Sequence, residues 1–161
     1  PHTMEGHMTL YKYVLHHSAN TLDKWYLEAI GVYVSLINKC DYCVEHHFGG
    51  LTRLVGDTGR ANEMRRALEA GNPGEAFDDR QTAGLDYAQT LTCAAASLTA
   101  ESIAALRSIG FSDGEILEIN QVTAYFNYAN RTVLGLGIST DGDILGLSPG
   151  NSANPDDWQH G

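Results

Sequence analysis

Hydrophobic residues recur at three- and four-residue spacing along most of the chain, which is the pattern of amphipathic helices. The pattern is clearest in residues 22–38, where Trp25, Ala29, Tyr33 and Ile37 fall on one face. Alternation of the kind that marks strands is almost absent, so the sequence predicts an all-α fold. The same helical spacing predicts further helices over residues 4–17, 40–54, 59–70 and 78–93.

Capping residues predict two more helices and sharpen several helix ends. Thr99 is expected to cap a helix that ends at Gly110, and Ser112 with Glu115 has the spacing of a capping box. Thr21 is expected to cap the helix over residues 22–38. About six to eight helices follow from these signals. The core candidates of the last helix, which we expect to reach about residue 134, are Ile119, Val122, Phe126, Tyr128 and Ala129.

The final 22 residues have the composition of an irregular tail. Residues 140–161 are rich in Gly, Ser, Asn, Asp and Pro, so we expect a helical domain over residues 1–139 followed by irregular chain. The tail has four apolar anchors with which it can dock, either on its own domain or on a neighbouring subunit. These are Ile144, Leu145, Leu147 and Trp158.

Length and charge exclude several classes of protein. The 161 residues suit one domain, and 20 acidic residues against 10 basic ones give a net charge of −10. Such a charge argues against nucleic acid or an anionic membrane as a partner. The longest apolar stretch, residues 29–37, is far shorter than the roughly 20 residues of a membrane span. No signal-peptide pattern is visible, although the sequence opens at Pro1 without a methionine.

The chain has three cysteines, an odd number that argues against a fully paired secreted framework. Cys40 and Cys43 form a close pair, which in an intracellular type of chain indicates redox chemistry or metal binding. We therefore expect a cytoplasmic protein. Cys93 lies in an alanine-rich stretch and is expected to be a small buried hydrophobic residue.

The cysteine pair is followed by a histidine at helical spacing. If Cys40 begins a helix, then Cys43 and His47 lie on one stripe of it. A helix N-terminus and a neighbouring imidazole both lower a thiol pKa, so the arrangement suits a couple in which one sulphur attacks and the other resolves. Tyr42, between the cysteines, either lines a pocket or simply packs, whereas His46 points away and is expected to be a surface or packing residue. A structural zinc site is less favoured, since no second Cys-x-x-Cys supplies the fourth ligand.

Glu28 is the other candidate for chemistry. It shares a helical stripe with two small residues, Gly31 and Ser35. Two interpretations follow from position alone. In one, the small residues allow close helix packing while Glu28 faces water; in the other, the carboxylate lines a small pocket.

Together, Glu28, Cys40, Cys43 and His47 resemble the core of the alkylhydroperoxidase AhpD-like group in the carboxymuconolactone decarboxylase superfamily. Residues 124–131 are similar to the long C-terminal helix of its peroxidase-related branch. The resemblance implies an all-α homo-oligomer, dimer to hexamer, and we expect no metal or cofactor. It implies that a Cys40/Cys43 couple reduces a hydroperoxide or a disulfide, that Glu28 and His47 relay protons, and that an external dithiol restores the thiols.

Tyr42 is a departure from the family pattern, which often has a histidine between the cysteines. We therefore expect slower turnover or a different natural oxidant. Either Cys43, beside His47, or Cys40, which is nearer the N-terminus, is the attacking residue. Two other functions stay open: a cofactor-free lyase in which His47 and Glu28 act as acid and base, and a redox-sensing module without turnover. The decarboxylase branch lacks the cysteine pair, so it matches this chain less well.

Overall fold

A computed structural model describes residues 2–146 and contains seven α-helices and no strand in that part of the chain. The all-α prediction is therefore confirmed. A π-helical turn, Lys12–His16, follows the first helix, and 3-10 turns cover Pro73–Glu75 and Ala95–Ser97. The helices are α1 His2–Tyr11, α2 Lys24–Ile37, α3 Asp41–Val55, α4 Thr58–Glu69, α5 Asp79–Ala94, α6 Ala100–Ser108 and α7 Asp113–Leu136.

Helix α2 is the centre of the fold. Every residue from 26 to 35 is buried, and the helix packs against α3, α4, α5 and α7. A helix that is apolar around its whole circumference must be covered on all sides, which explains this central position. The buried charged residue of α2 is Glu28, and it is therefore held inside the protein.

A short turn joins α2 to α3 and places the cysteines. Lys39 adopts a positive φ of 58°, and the Cys40 amide donates to the Ser35 carbonyl over 2.9 Å. Cys40 is the N-cap residue of α3, as the sequence predicts, and Gly56 ends that helix at a φ of 70°. Both cysteines therefore lie at the beginning of α3, directly after the central helix.

The capping signals are confirmed in α7 and wrong at Thr21. The Glu115 amide donates to Ser112 Oγ over 3.2 Å, and the Glu115 carboxylate accepts from the Ser112 amide in return. Asp23 is the N-cap residue of α2. Thr21 lies two residues earlier, where its amide and its hydroxyl both donate to the Glu118 carboxylate, at 2.8 and 2.9 Å. The Glu118 carboxylate of α7 thus accepts a hydrogen bond from the Thr21 hydroxyl, the group expected to cap α2.

Two residues expected in the core are exposed. Cys93 lies in the last turn of α5, five residues after buried Ala88 and therefore about 140° around the helix from it. Tyr128 is 46% exposed because it follows buried Phe126 by two residues and points to the other side of α7. Residue type suggests burial in both cases, but position on the helix decides it.

The C-terminal segment lies against α3 as far as it is described. Arg53 donates to the carbonyl of Gly146, and a Cβ on Gly146 would meet the Gly49 backbone at 2.8 Å. The expected anchors Ile144 and Leu145 are 72% and 46% exposed and do not hold the segment. The other two, Leu147 and Trp158, lie outside the described residues, so docking of residues 147–161 stays a prediction. No helix within residues 2–146 has the length and apolar character that a membrane span requires.

Candidate active site

Glu28, which is buried, and His47, which is partly buried, form a hydrogen-bonded pair between α2 and α3. Glu28 Oε2 lies 2.7 Å from His47 Nδ1, and the two side chains are only 4% and 16% exposed. Gly50, which faces the carboxylate from α3, makes this possible, because a Cβ there would lie 2.9 Å from Glu28 Oε1. Of the two interpretations for Glu28, the structure places the carboxylate inside, against an imidazole.

Aromatic packing fixes the His47 ring. Phe126, on α7, and the imidazole form a T-shaped pair, with ring centroids 4.5 Å apart and an angle of 86° between the planes. Gly31 on α2 leaves the space that the Phe126 ring occupies. Since Glu28 holds Nδ1, the second ring nitrogen, Nε2, is the atom left for proton exchange with a reacting group.

The two cysteines of α3 are buried free thiols whose sulphur atoms lie 2.8 Å apart. Burial raises the pKa of Cys43, and the adjacent Cys40 thiol raises it further, while a hydrogen bond from Asn130 opposes the shift. The expected lowering of a thiol pKa at this helix end is therefore wrong for Cys43. Loss of water around the sulphur outweighs the helix N-terminus, and Cys43 is a neutral thiol at neutral pH.

Buried amide side chains support the turn that carries the cysteines. Asn130 Nδ2 donates to Ser35 Oγ over 3.0 Å, and Asn130 Oδ1 accepts from Asn38 Nδ2 over 3.0 Å. The Ser35 carbonyl in turn accepts from the Cys40 amide. Ser35 is thus a hydrogen-bonding residue behind the cysteines rather than merely a small one that allows packing.

A cavity of about 360 Å³ opens beside the Glu28–His47 pair. Tyr42 lines it, whereas neither cysteine is among the described residues of its wall. Cys40 instead lines a second cavity of about 290 Å³, toward the end of α7. The larger cavity is lined by His7, Met8, Tyr11, Glu28, Tyr42, His46, His47, Gly50, Tyr125, Asp143 and Ile144.

Several residues of this wall were not singled out by the sequence. His7 and Tyr11 come from α1, Tyr125 from α7 and Asp143 from the C-terminal segment. His46, expected to be a surface or packing residue, also lines the cavity. Its Nε2 lies 3.2 Å from Asp143 Oδ2. None of these contacts has a local signal, because each joins residues that are distant in sequence.

Within residues 2–146, no group of three or more His, Cys, Asp or Glu side chains has an arrangement that could hold a metal ion. His16, which lies close to the Glu28–His47 pair, is partly buried beside Tyr11, with ring centroids 5.0 Å apart. Burial lowers the pKa of His16 to about 4. It is therefore a neutral imidazole at neutral pH.

Solved structures supply the comparison with known proteins, since no family model and no curated protein sequence matches the chain. An uncharacterized peroxidase-related protein from Silicibacter sp. TM1040 is 30% identical, with a TM-score of 0.75, over 86% of this chain and 70% of that one. The alkylhydroperoxidase AhpD core of an uncharacterized peroxidase-related protein from Ralstonia eutropha JMP134 is 25% identical, with a TM-score of 0.77 and the same coverage. A protein of unknown function from Agrobacterium tumefaciens is 23% identical over 85% of this chain and 89% of that one, and its TM-score of 0.70 shows the shared fold. With the cysteine pair, the glutamate and the histidine assembled in this fold, the chain belongs to the AhpD-like, peroxidase-related protein family.

Proposed function

We propose that the protein is a thiol-dependent peroxidase or dithiol–disulfide oxidoreductase, with Cys40 and Cys43 as its redox couple. One observation carries the proposal. The helix that begins with two adjacent free thiols also holds His47 one turn after Cys43, and a buried carboxylate, Glu28, binds this imidazole at 2.7 Å. Two thiols that can pair, next to a hydrogen-bonded acid–base group, are what a two-cysteine peroxidase requires.

The proposed cycle begins when a thiolate attacks the terminal oxygen of a hydroperoxide. An S–O bond forms, the O–O bond breaks, and the alkoxide leaves with a proton as an alcohol. The thiol of the other cysteine then attacks the sulfenic acid, water leaves, and a disulfide joins Cys40 to Cys43. An external dithiol reduces that disulfide by two exchange steps and is itself oxidised.

His47 and Glu28 have a defined task in this cycle. Because burial raises the pKa of Cys43, this residue enters the reaction as a thiol, and a base must remove its proton for it to attack. His47 takes that proton and returns it to the leaving alkoxide, while Glu28 stabilises the imidazolium. The same relay serves Cys40 if Cys40 attacks and Cys43 resolves.

The remaining features of the proposal rest on the family and, for the location, on the cysteine content. The substrate is a hydroperoxide or a disulfide, the reductant is an external dithiol, and no cofactor takes part. The protein is a cytoplasmic homo-oligomer, a dimer to hexamer, and Tyr42 contributes to the substrate pocket from the position where relatives often have histidine. That tyrosine supplies a hydroxyl but no base near neutral pH, so His47 is the single imidazole in the proposed relay with Glu28.

The test counts free thiols in denaturant before and after one equivalent of organic hydroperoxide. A fall from three thiols to one, with Cys93 left free, is the expected result. Cys40→Ser and Cys43→Ser then identify the attacking residue, because only the variant that keeps it forms a sulfenic acid. Cys93→Ser, at an exposed position, is the control and should turn over like the parent. Three thiols on both occasions, with no peroxide consumed, would refute the redox couple.

A cofactor-free lyase is the second candidate, and one observation favours it. Glu28 and His47 line the larger cavity, whereas neither cysteine is among its described lining residues. An enzyme that used only this carboxylate and imidazole as acid and base on a small acid would keep its activity after both cysteines are replaced by serine. If the parent protein turns over a small acid and the Cys40→Ser/Cys43→Ser double variant does not, this mechanism is excluded.

A further inference from the structure

The wall of the larger cavity also includes an uncharged hydrogen-bonded pair that is remote in sequence from the cysteines. His7 Nε2, on α1, lies 3.3 Å from the Tyr125 hydroxyl on α7, with ring centroids 5.6 Å apart. Both groups are uncharged at neutral pH, because burial lowers the pKa of His7 and raises that of Tyr125. A tyrosine hydroxyl both donates and accepts a hydrogen bond, so this pair can bind an uncharged oxygen in the cavity.

The ionisable groups of the wall leave no positive charge free for an anion. Each of its two carboxylates faces an imidazole, Glu28 with His47 at 2.7 Å and Asp143 with His46 at 3.2 Å. No lysine or arginine belongs to the described lining of the cavity. Arg53 is near enough for its charge to act on Tyr11, but it does not line the cavity, and its guanidinium donates to the Gly146 carbonyl.

The size and the remaining lining of the cavity suit a small organic molecule. Its volume of about 360 Å³ falls within the range of roughly 300–1,000 Å³ that is usual for sites of small ligands. Met8, Tyr11, Tyr42 and Ile144 present apolar or aromatic surface to the space. Hydrogen peroxide, little larger than water, would leave nearly all of this surface without contact.

We propose that this cavity selects an uncharged organic substrate, which places an oxygen on the Tyr125–His7 pair, and rejects substrates that carry a carboxylate. Identification of that substrate as a neutral organic hydroperoxide rests on the proposed function. A carboxylate entering the cavity would lose its water without gaining a cation and would approach Glu28 and Asp143, so repulsion between like charges opposes its binding.

The test compares two probes that differ only in charge. Cumene hydroperoxide is the neutral probe, and its para-carboxylate is the charged one, each assayed with dithiothreitol as the reductant. We expect kcat/KM to be about tenfold or more higher for the neutral probe, with the difference mostly in KM. Calorimetric binding of the unreactive alcohols of the same two probes repeats the comparison without turnover.

Two variants with matched controls connect the preference to the wall. Asp143→Asn removes one carboxylate and should reduce the discrimination severalfold, whereas Asp141→Asn, a change of the same kind outside the cavity, should not. Tyr125→Phe should raise KM for cumene hydroperoxide. Tyr128→Phe is its control, because Tyr128 lies 5.4 Å from the same His7 ring but is exposed and does not line the space.

The outcomes separate the two proposals. If the protein reduces neither probe but binds only the neutral alcohol, the peroxidase function fails and the selective cavity stands. If both probes react and both alcohols bind equally well, the peroxidase stands and the selectivity is refuted. Equal effects of Asp143→Asn and Asp141→Asn would also refute the assignment of the cavity wall.

Discussion

Replacement of Gly31 by alanine tests how the central helix supports the active site. A Cβ at this position would overlap Cζ and Cε2 of Phe126 and lie 3.0 Å from Cε1. Phe126 is completely buried, so its ring cannot turn toward solvent, and it packs against the His47 imidazole in a T-shaped pair. The Gly31→Ala change therefore pushes on a rigid ring that contacts a residue of the proton relay.

The magnitude follows from two opposing effects. Overpacking of this kind costs about 1–3 kcal/mol, while alanine in place of glycine within a helix gains about 1 kcal/mol. The net change in the free energy of unfolding is a loss of about 0–2 kcal/mol. Gly135→Ala, in α7, is the matched control, because a Cβ there meets nothing within 4 Å and only the helical gain of about 0.5–1 kcal/mol remains.

Urea unfolding of the two variants measures this difference, which should be about 1–3 kcal/mol. Phe126→Leu, combined with Gly31→Ala, should restore part of the loss through a favourable coupling of about 1 kcal/mol or more. Peroxide turnover should fall in Gly31→Ala and not in Gly135→Ala, because only the first displaces the ring beside His47. If Gly31→Ala and Gly135→Ala stabilise the protein equally and both keep full activity, the close packing of Phe126 against Gly31 is refuted.

Three further predictions concern ionisable groups. Glu28→Gln should lower peroxide turnover by about 10²–10⁴-fold. Glu5→Gln, on the exposed face of α1, is the control and should not change it. Equal turnover by the two variants would show that Glu28 takes no part in the relay. The raised pKa of Cys43 predicts that the alkylation rate of this thiol, measured in Cys40→Ser/Cys93→Ser, still increases above pH 9.0, the usual pKa of a cysteine. A rate that reaches a plateau below pH 9.0 would contradict the burial argument. His16 has a pKa lowered from 6.5 to about 4. As the pH falls, the unfolded chain therefore binds a proton on this residue at a higher pH than the folded protein does. The free energy of unfolding should therefore fall by about 2–3 kcal/mol between pH 6.5 and 4. His16→Phe should flatten this dependence in urea titrations and His2→Phe should not, while an unchanged slope in His16→Phe would show that other groups cause it.

Local signals predict most of the helical framework. The Ser112–Glu115 box and the position of Cys40 at the start of α3 each depend on residues within one turn, and both are found. Thr21 fails as a cap because a distant carboxylate, that of Glu118, binds its amide and hydroxyl. A capping signal is therefore reliable only while no tertiary partner competes for the same groups.

The candidate site divides in the same way. The structure brings Glu28 and His47 together, and their helices are consecutive in the chain. The cavity wall could not be predicted, since Tyr125 meets His7 across 118 residues and Asp143 meets His46 across 97. The pKa of Cys43 was also out of reach, because it depends on the depth of burial produced by all the surrounding helices.

The short turn between α2 and α3 also has a consequence for the order of folding. It joins two helices that pack closely against each other, and the Glu28–His47 contact spans only 19 residues. Closing such a short loop costs little chain entropy, so this hairpin should form early. The Tyr125–His7 and Asp143–His46 contacts need both ends of the chain and must form later. A nascent or partly unfolded chain would thus already carry the thiols and their acid–base pair while the substrate-selecting wall is still open.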